Sequence, residues 1–152
     1  MSAIIGIYYR DGRPVAESTV ATMLEALAHR GSDASRGWCG GAVGLGQVML
    51  WTTPESTKEE LPLIDDSSSL VITADARIDN RDELLSELYG SRVDGAGVSD
   101  SELILTGYQK WGRACVEKFV GDFAFVVWDR VRRTAFAARD RRMTHGPEIA
   151  GS

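Results

Sequence analysis

Apolar positions begin almost at the first residue. Ala3-Ile4-Ile5-Gly6-Ile7-Tyr8-Tyr9 reads as an opening strand, and Asp11-Gly12-Arg13-Pro14 ends it with strong turn chemistry. Val20, Met23, Leu24 and Leu27 then recur at helical spacing. They predict one amphipathic helix with Ser18 as N-cap and Gly31 as a left-handed C-cap, followed by a polar loop around His29 to Asp33. From Trp38 to Trp51 the pattern changes to apolar residues interrupted by Gly40, Gly41, Gly44 and Gly46, which predicts strands. Thr52 to Leu63, holding Pro54 and Pro62, reads as a polar loop.

The second half opens on a short β-branched strand, Leu70 to Ala74, which runs straight into Asp75-Ala76-Arg77-Ile78-Asp79-Asn80. A helix is predicted to start there. Asn80 with Glu83 three residues on has the form of a capping box, Leu84, Leu85 and Leu88 make the buried face, and Gly90 ends it. Ser91 to Val98 is a glycine-containing loop, read as the mobile part of the chain. Ser99 with Glu102 repeats the capping pattern before a helix whose Ile104, Tyr108 and Trp111 share a face. A helical turn around Cys115 to Phe119 comes next. Phe123 to Trp128 is apolar at both alternating positions, the mark of a strand covered on both sides, and Asp129 to Arg133 turns the chain into a partner strand from Thr134 to Ala138. Strands, then two helices, then a hairpin is an α+β order.

Composition narrows the function classes. At 152 residues, with 43% hydrophobic and 26% charged side chains, the chain has the size and make-up of one folded domain. Its 17 Lys and Arg against 22 Asp and Glu leave a net charge of -5, which argues against nucleic acid or an anionic membrane as partner. Cys39 and Cys115 are too few for a disulfide scaffold and lie in no metal-ligand spacing, so both are expected to be buried thiols. With no long apolar run and no signal-type N-terminus, the sequence reads as cytoplasmic.

Candidate chemistry is concentrated at the start. Removal of Met1 would leave Ser2 with a hydroxyl nucleophile and a free α-amine, a base that titrates near ~8. The competing reading makes Ser2 only a small residue ahead of a strand. The glycines from Gly41 to Gly46 lack the Lys-Ser/Thr of a phosphate loop and the following helix of a dinucleotide fingerprint.

Seven segments in this order, MSAIIGIYYRDGRPV, ALAHRGSDAS, VGLGQVML, ITADARIDNRDEL, SDSELILTGYQKWG, VGDFAFVVWD and FAARDR, resemble the class II glutamine amidotransferase domain that begins asparagine synthetases. The resemblance implies a four-layer αββα sandwich of the N-terminal-nucleophile hydrolase type, spanning residues 1–141 and lacking its C-terminal strands. It also implies a site. Ser2 occupies the position of the family's nucleophilic cysteine, Val48 and Met49 fall where an arginine pairs with the substrate α-carboxylate, and Asp75 and Ala76 replace the asparagine and glycine of the oxyanion hole. Asp100 matches the aspartate that holds the substrate α-amino group; as a helix N-terminal carboxylate it also has a purely structural reading.

These departures point to a degenerate glutaminase site. An ionised Asp75 accepts hydrogen bonds and donates none, so it would repel the charge growing on a carbonyl oxygen, and losing one such donor costs on the order of 3 kcal/mol. The opening and ITADARIDNRDEL look most like lasso-peptide cyclases, in which a domain of this kind is a scaffold. The family continues into an ATP-pyrophosphatase synthetase domain that this sequence lacks. The resemblance therefore implies no cofactor in this chain, with ATP and Mg required only by a separate synthetase domain. Expected partners are such a domain or a second copy of the chain, with glutamine the small molecule in question. An active hydrolase using Ser2 and a non-enzymatic interaction module are the alternatives. Residues 142–152, with His145, are expected to be a disordered tail.

Overall fold

The structure, a computed structural model, describes residues 2–30, 33–50, 59–90 and 95–141. The chain order is β1 (Ala3–Tyr8), α1 (Glu17–Ala26), β2 (Ala34–Gly40), β3 (Val43–Met49), β4 (Leu63–Asp65), β5 (Leu70–Ile78), α2 (Arg81–Tyr89), α3 (Asp100–Trp111), β6 (Gly121–Asp129) and β7 (Thr134–Arg139). Short 3-10 turns occupy Ala28–Arg30, Gly95–Gly97 and Gly112–Glu117. The strands form two antiparallel sheets, one ordered β1-β3-β2 and the other β4-β5-β6-β7.

Each sheet carries helices on its outer face. In the first sheet, Ile5 and Val48 pack with Val15, Val20 and Leu24 of the α1 region. Glycines make this contact close: a Cβ on Gly44 would stand 2.6 Å from Val20 Cγ2, and one on Gly46 3.0 Å from Leu24 Cδ2. In the second sheet Leu70, Ile72, Ala74, Phe123, Phe125 and Val127 form the main core with Leu84, Leu85, Leu103 and Ile104 of α2 and α3. Burying each large apolar side chain of this kind contributes about 2 kcal/mol. The alternate positions of both sheets face each other, where Val43 and Leu45 meet Val71 and Trp128. The result is the expected α+β αββα sandwich, and β6 is covered on both faces, Phe125 toward the helices and Trp128 toward the first sheet.

Local expectations fared unevenly. Ser99 and Glu102 form the predicted capping box, the Ser99 hydroxyl accepting from Glu102 N–H and the Glu102 carboxylate from Ser99 N–H. The helix expected to start at Ser18 starts at Glu17 with Ala16 in the cap position, and the Ser18 carbonyl accepts from the Thr22 hydroxyl. Asn80 stands at the α2 N-cap without a cap bond; its side chain donates to Lys118 O and Glu83 and accepts from Val120 N–H, tying α2 to the approach of β6. Leu63 to Asp65 makes a strand where only the end of a loop was expected, because it pairs with Leu70 to Ile72.

The strand predicted to stop at Ala74 continues to Ile78, its full length paired with β6. Cys115 is buried as expected, whereas Cys39 is partly exposed. The Gly31 cap, Thr52 to Lys58, Ser91 to Asp94 and the 142–152 tail lie outside the described residues.

Candidate functional site

Ser2 precedes β1, whose Ala3 pairs with Val48 on the central strand β3. Its Oγ accepts from Leu50 N–H at 3.2 Å, which fixes the hydroxyl at the end of the β1-β3 pair. Strand alternation then sorts the two residues expected at the lost-arginine position. Val48 points outward into the α1 cluster and is buried there, so it is unavailable to a ligand. Met49 shares the inward face with Leu45 and Gln47, and it is the position from which a side chain could reach the inter-sheet end.

Gln47 was not among the residues singled out from sequence, and it connects the two sheets. Its Nε2 donates to Ala74 O at 2.6 Å, and its Oε1 accepts from the Thr73 hydroxyl at 2.9 Å and from Ala74 N–H at 3.3 Å. The reason lies in sheet length. On its outer side β5 is paired with β4 as far as Ile72, so Ala74 presents a backbone donor and acceptor with no strand beyond them among the described residues. A buried amide side chain satisfies both. The signal in the sequence was a lone glutamine in the apolar run Val43 to Met49.

The next residue along β5 is Asp75, on the same face as Val71 and Thr73 and therefore turned toward the first sheet. Burial pushes its carboxyl pKa up, the positive amino terminus pulls it down, and the Glu59 carboxylate adds to the rise. The Ala76 methyl lies on the opposite face, packed against the helical core. Only the backbone of Ala76 is available on the Ser2 side.

Asp100 opens α3 at the far end of β5. Its Oδ1 pairs with Arg81 Nη1, and its Oδ2 accepts from Ile78 N–H at 3.2 Å. Arg81 also donates through Nη2 to Val98 O at 2.6 Å and Gly95 O at 3.2 Å. Both carboxylate oxygens are thus engaged within the chain. One residue further on, Ser101 N–H donates to Glu59 Oε1 at 3.1 Å. The structure therefore gathers Ser2, Met49 and Asp75 at one end of the two sheets, places Val48 elsewhere, and holds Asp100 in a closed ion pair. Among the described residues no His, Cys, Asp and Glu group has the arrangement of a metal site. Nor, among them, is any helix long and apolar enough to cross a membrane.

Comparison with known proteins agrees with this geometry. A glutamine amidotransferase domain model matches residues 1–147. The chain is 31% identical to amidase chry2 of Gibberella zeae over 133 residues, 86% of this chain and 20% of that protein. It is also 31% identical to the glutamine-hydrolysing asparagine synthetase 3 of Bacillus subtilis over 126 residues, 82% of this chain and 20% of that protein. The chain thus spans about a fifth of the length of these relatives. Among solved structures, the B. subtilis glutamine phosphoribosylpyrophosphate amidotransferase superposes with a TM-score of 0.69 at 17% identity, covering 92% of this chain and 37% of that one, which bears on the fold alone. With nearly its whole length matched by the family model and its sheets arranged as an N-terminal-nucleophile sandwich, the chain belongs to the class II glutamine amidotransferase domain family of the asparagine synthetase type.

Proposed function

We propose that this domain has lost glutamine hydrolysis and serves as the N-terminal scaffold of a longer ATP-dependent amide-forming enzyme. The observation that carries the reading is Asp75, a carboxylate on the face of β5 turned toward Ser2, at the position where the family needs an amide donor. Attack on an amide carbonyl puts negative charge on its oxygen. A preorganised donor lowers that barrier by about 3 kcal/mol, and an ionised carboxylate raises it instead. Two further features point the same way. Met49 supplies no cation for a substrate carboxylate, and Asp100 spends both oxygens on Arg81 and Ile78 N–H. ATP and Mg would belong to a separate synthetase domain; the short coverage of its relatives is consistent with such a partner.

Ammonia release from L-glutamine by the purified chain is the test. The expected result is no release above background, unchanged by Ser2→Ala. Release that Ser2→Ala abolishes would overturn the proposal in favour of a serine hydrolase.

A further inference from the structure

We infer that Arg81 is a built-in occupant of the ammonium subsite centred on Asp100, so that the domain admits no α-amino acid there while the guanidinium is in place. The inference rests on the proposed reading of Asp100 as the family's amino-group subsite, and it says why that subsite is closed. A carboxylate that receives a substrate ammonium does so by holding that cation against its oxygens, and a guanidinium already paired there stands in its place. Here Oδ1 is taken by Arg81 Nη1 and Oδ2 by the backbone N–H of Ile78. The pair is not a loose surface contact, since the Arg81 and Asp100 side chains are only 29% and 21% exposed.

Arg81 is held from the other side as well. Nη2 donates to the carbonyls of Val98 and Gly95, so the guanidinium is clamped between the α2–α3 connection and the start of α3. An arriving ammonium would have to break a charge-assisted pair and leave those two carbonyls without their donor. An internal cation therefore does at this position what a bound amino acid's ammonium would do. The chemical class the subsite takes, once emptied, is a small primary ammonium or guanidinium.

Thermal unfolding of the full chain with added ethylammonium or ethylguanidinium, against equal tetramethylammonium as the ionic control, tests this. In Arg81→Met, which keeps most of the apolar stem, both cations are expected to raise Tm in a saturable way. The native chain and Arg81→Met/Asp100→Asn should respond at least about tenfold more weakly, the size of one lost charge-assisted hydrogen bond. Should Arg81→Met fail to fold alone, recovery of its circular dichroism by ethylguanidinium supports the inference, and no recovery overturns it. A folded Arg81→Met that ignores both cations overturns it, as does a native chain that responds equally well. The glutaminase assay reads the scaffold proposal independently, because ammonia release depends on Ser2 and this shift depends on Asp100.

Discussion

Asp75 is a partly buried carboxyl on the face of β5 turned toward the first sheet. Its carboxyl is raised by burial, with Glu59 adding to the effect, so the folded chain holds that proton more tightly than the unfolded one. Stability from this group is fully present below the unfolded value, near ~4, and is lost as pH rises through the folded value. Asp75→Asn is therefore expected to raise Tm at pH 7 and to leave it unchanged at pH 3, as thermal melts across that range would show. Equal gains at both pH values would mean that the ionised carboxylate is not what costs stability.

Gln47 gives a second prediction. Gln47→Leu keeps the volume but strands both backbone groups of Ala74 in a buried place, while the Thr73 hydroxyl keeps its bond to Gly46 O, at a cost of about 3 kcal/mol in urea unfolding. The sequence displayed Gln47 as one polar residue inside an apolar strand, yet could not say what it met, because its partners lie 26 and 27 positions away. Arg81 was hidden more fully. Beside Asn80 and Asp82 it looks like an ordinary charge in the first turn of a helix.

Among the elements, the approach of β6 to β5 depends on one glycine. Gly121 has φ +143, and a Cβ there would lie 2.1 Å from Arg77 O, a backbone atom that cannot swing aside. Gly121→Ala should cost about 3 kcal/mol, seen as a lower urea midpoint, whereas Gly97→Ala, with open space around it and no positive φ, should change stability little. Element types were legible because hydrophobic period is local. Val20 and Leu24 mark α1, and the double-faced apolar run from Phe123 marks β6. Ends were less legible. The segment Asp75-Ala76-Arg77, with its two charges, stays in a strand because β6 pairs with it as far as Gly121.

For the whole molecule, two sheets bound through Val43, Leu45, Val71 and Trp128 and through the Gln47 amide should unfold together. Cys115 reports on this. It is fully buried in the main core, and desolvation pushes its thiol pKa up to about 12. Its alkylation at pH 8 is expected to occur only on global unfolding, with a rate that follows the tryptophan fluorescence transition across a urea series. Rapid labelling in the native range would show that the helical side opens separately.

The sequence by itself determined the family and the α+β order of elements, because each rests on residue identity or local spacing. Tertiary structure alone decided which of Val48 and Met49 faces the inter-sheet end, that Gln47 completes the bare side of β5, and that Arg81 occupies Asp100. Each of those depends on side-chain direction or on residues brought together from distant parts of the chain. Local period puts neighbouring strand residues on opposite faces, but it records neither which face lies inward nor which distant residues meet there.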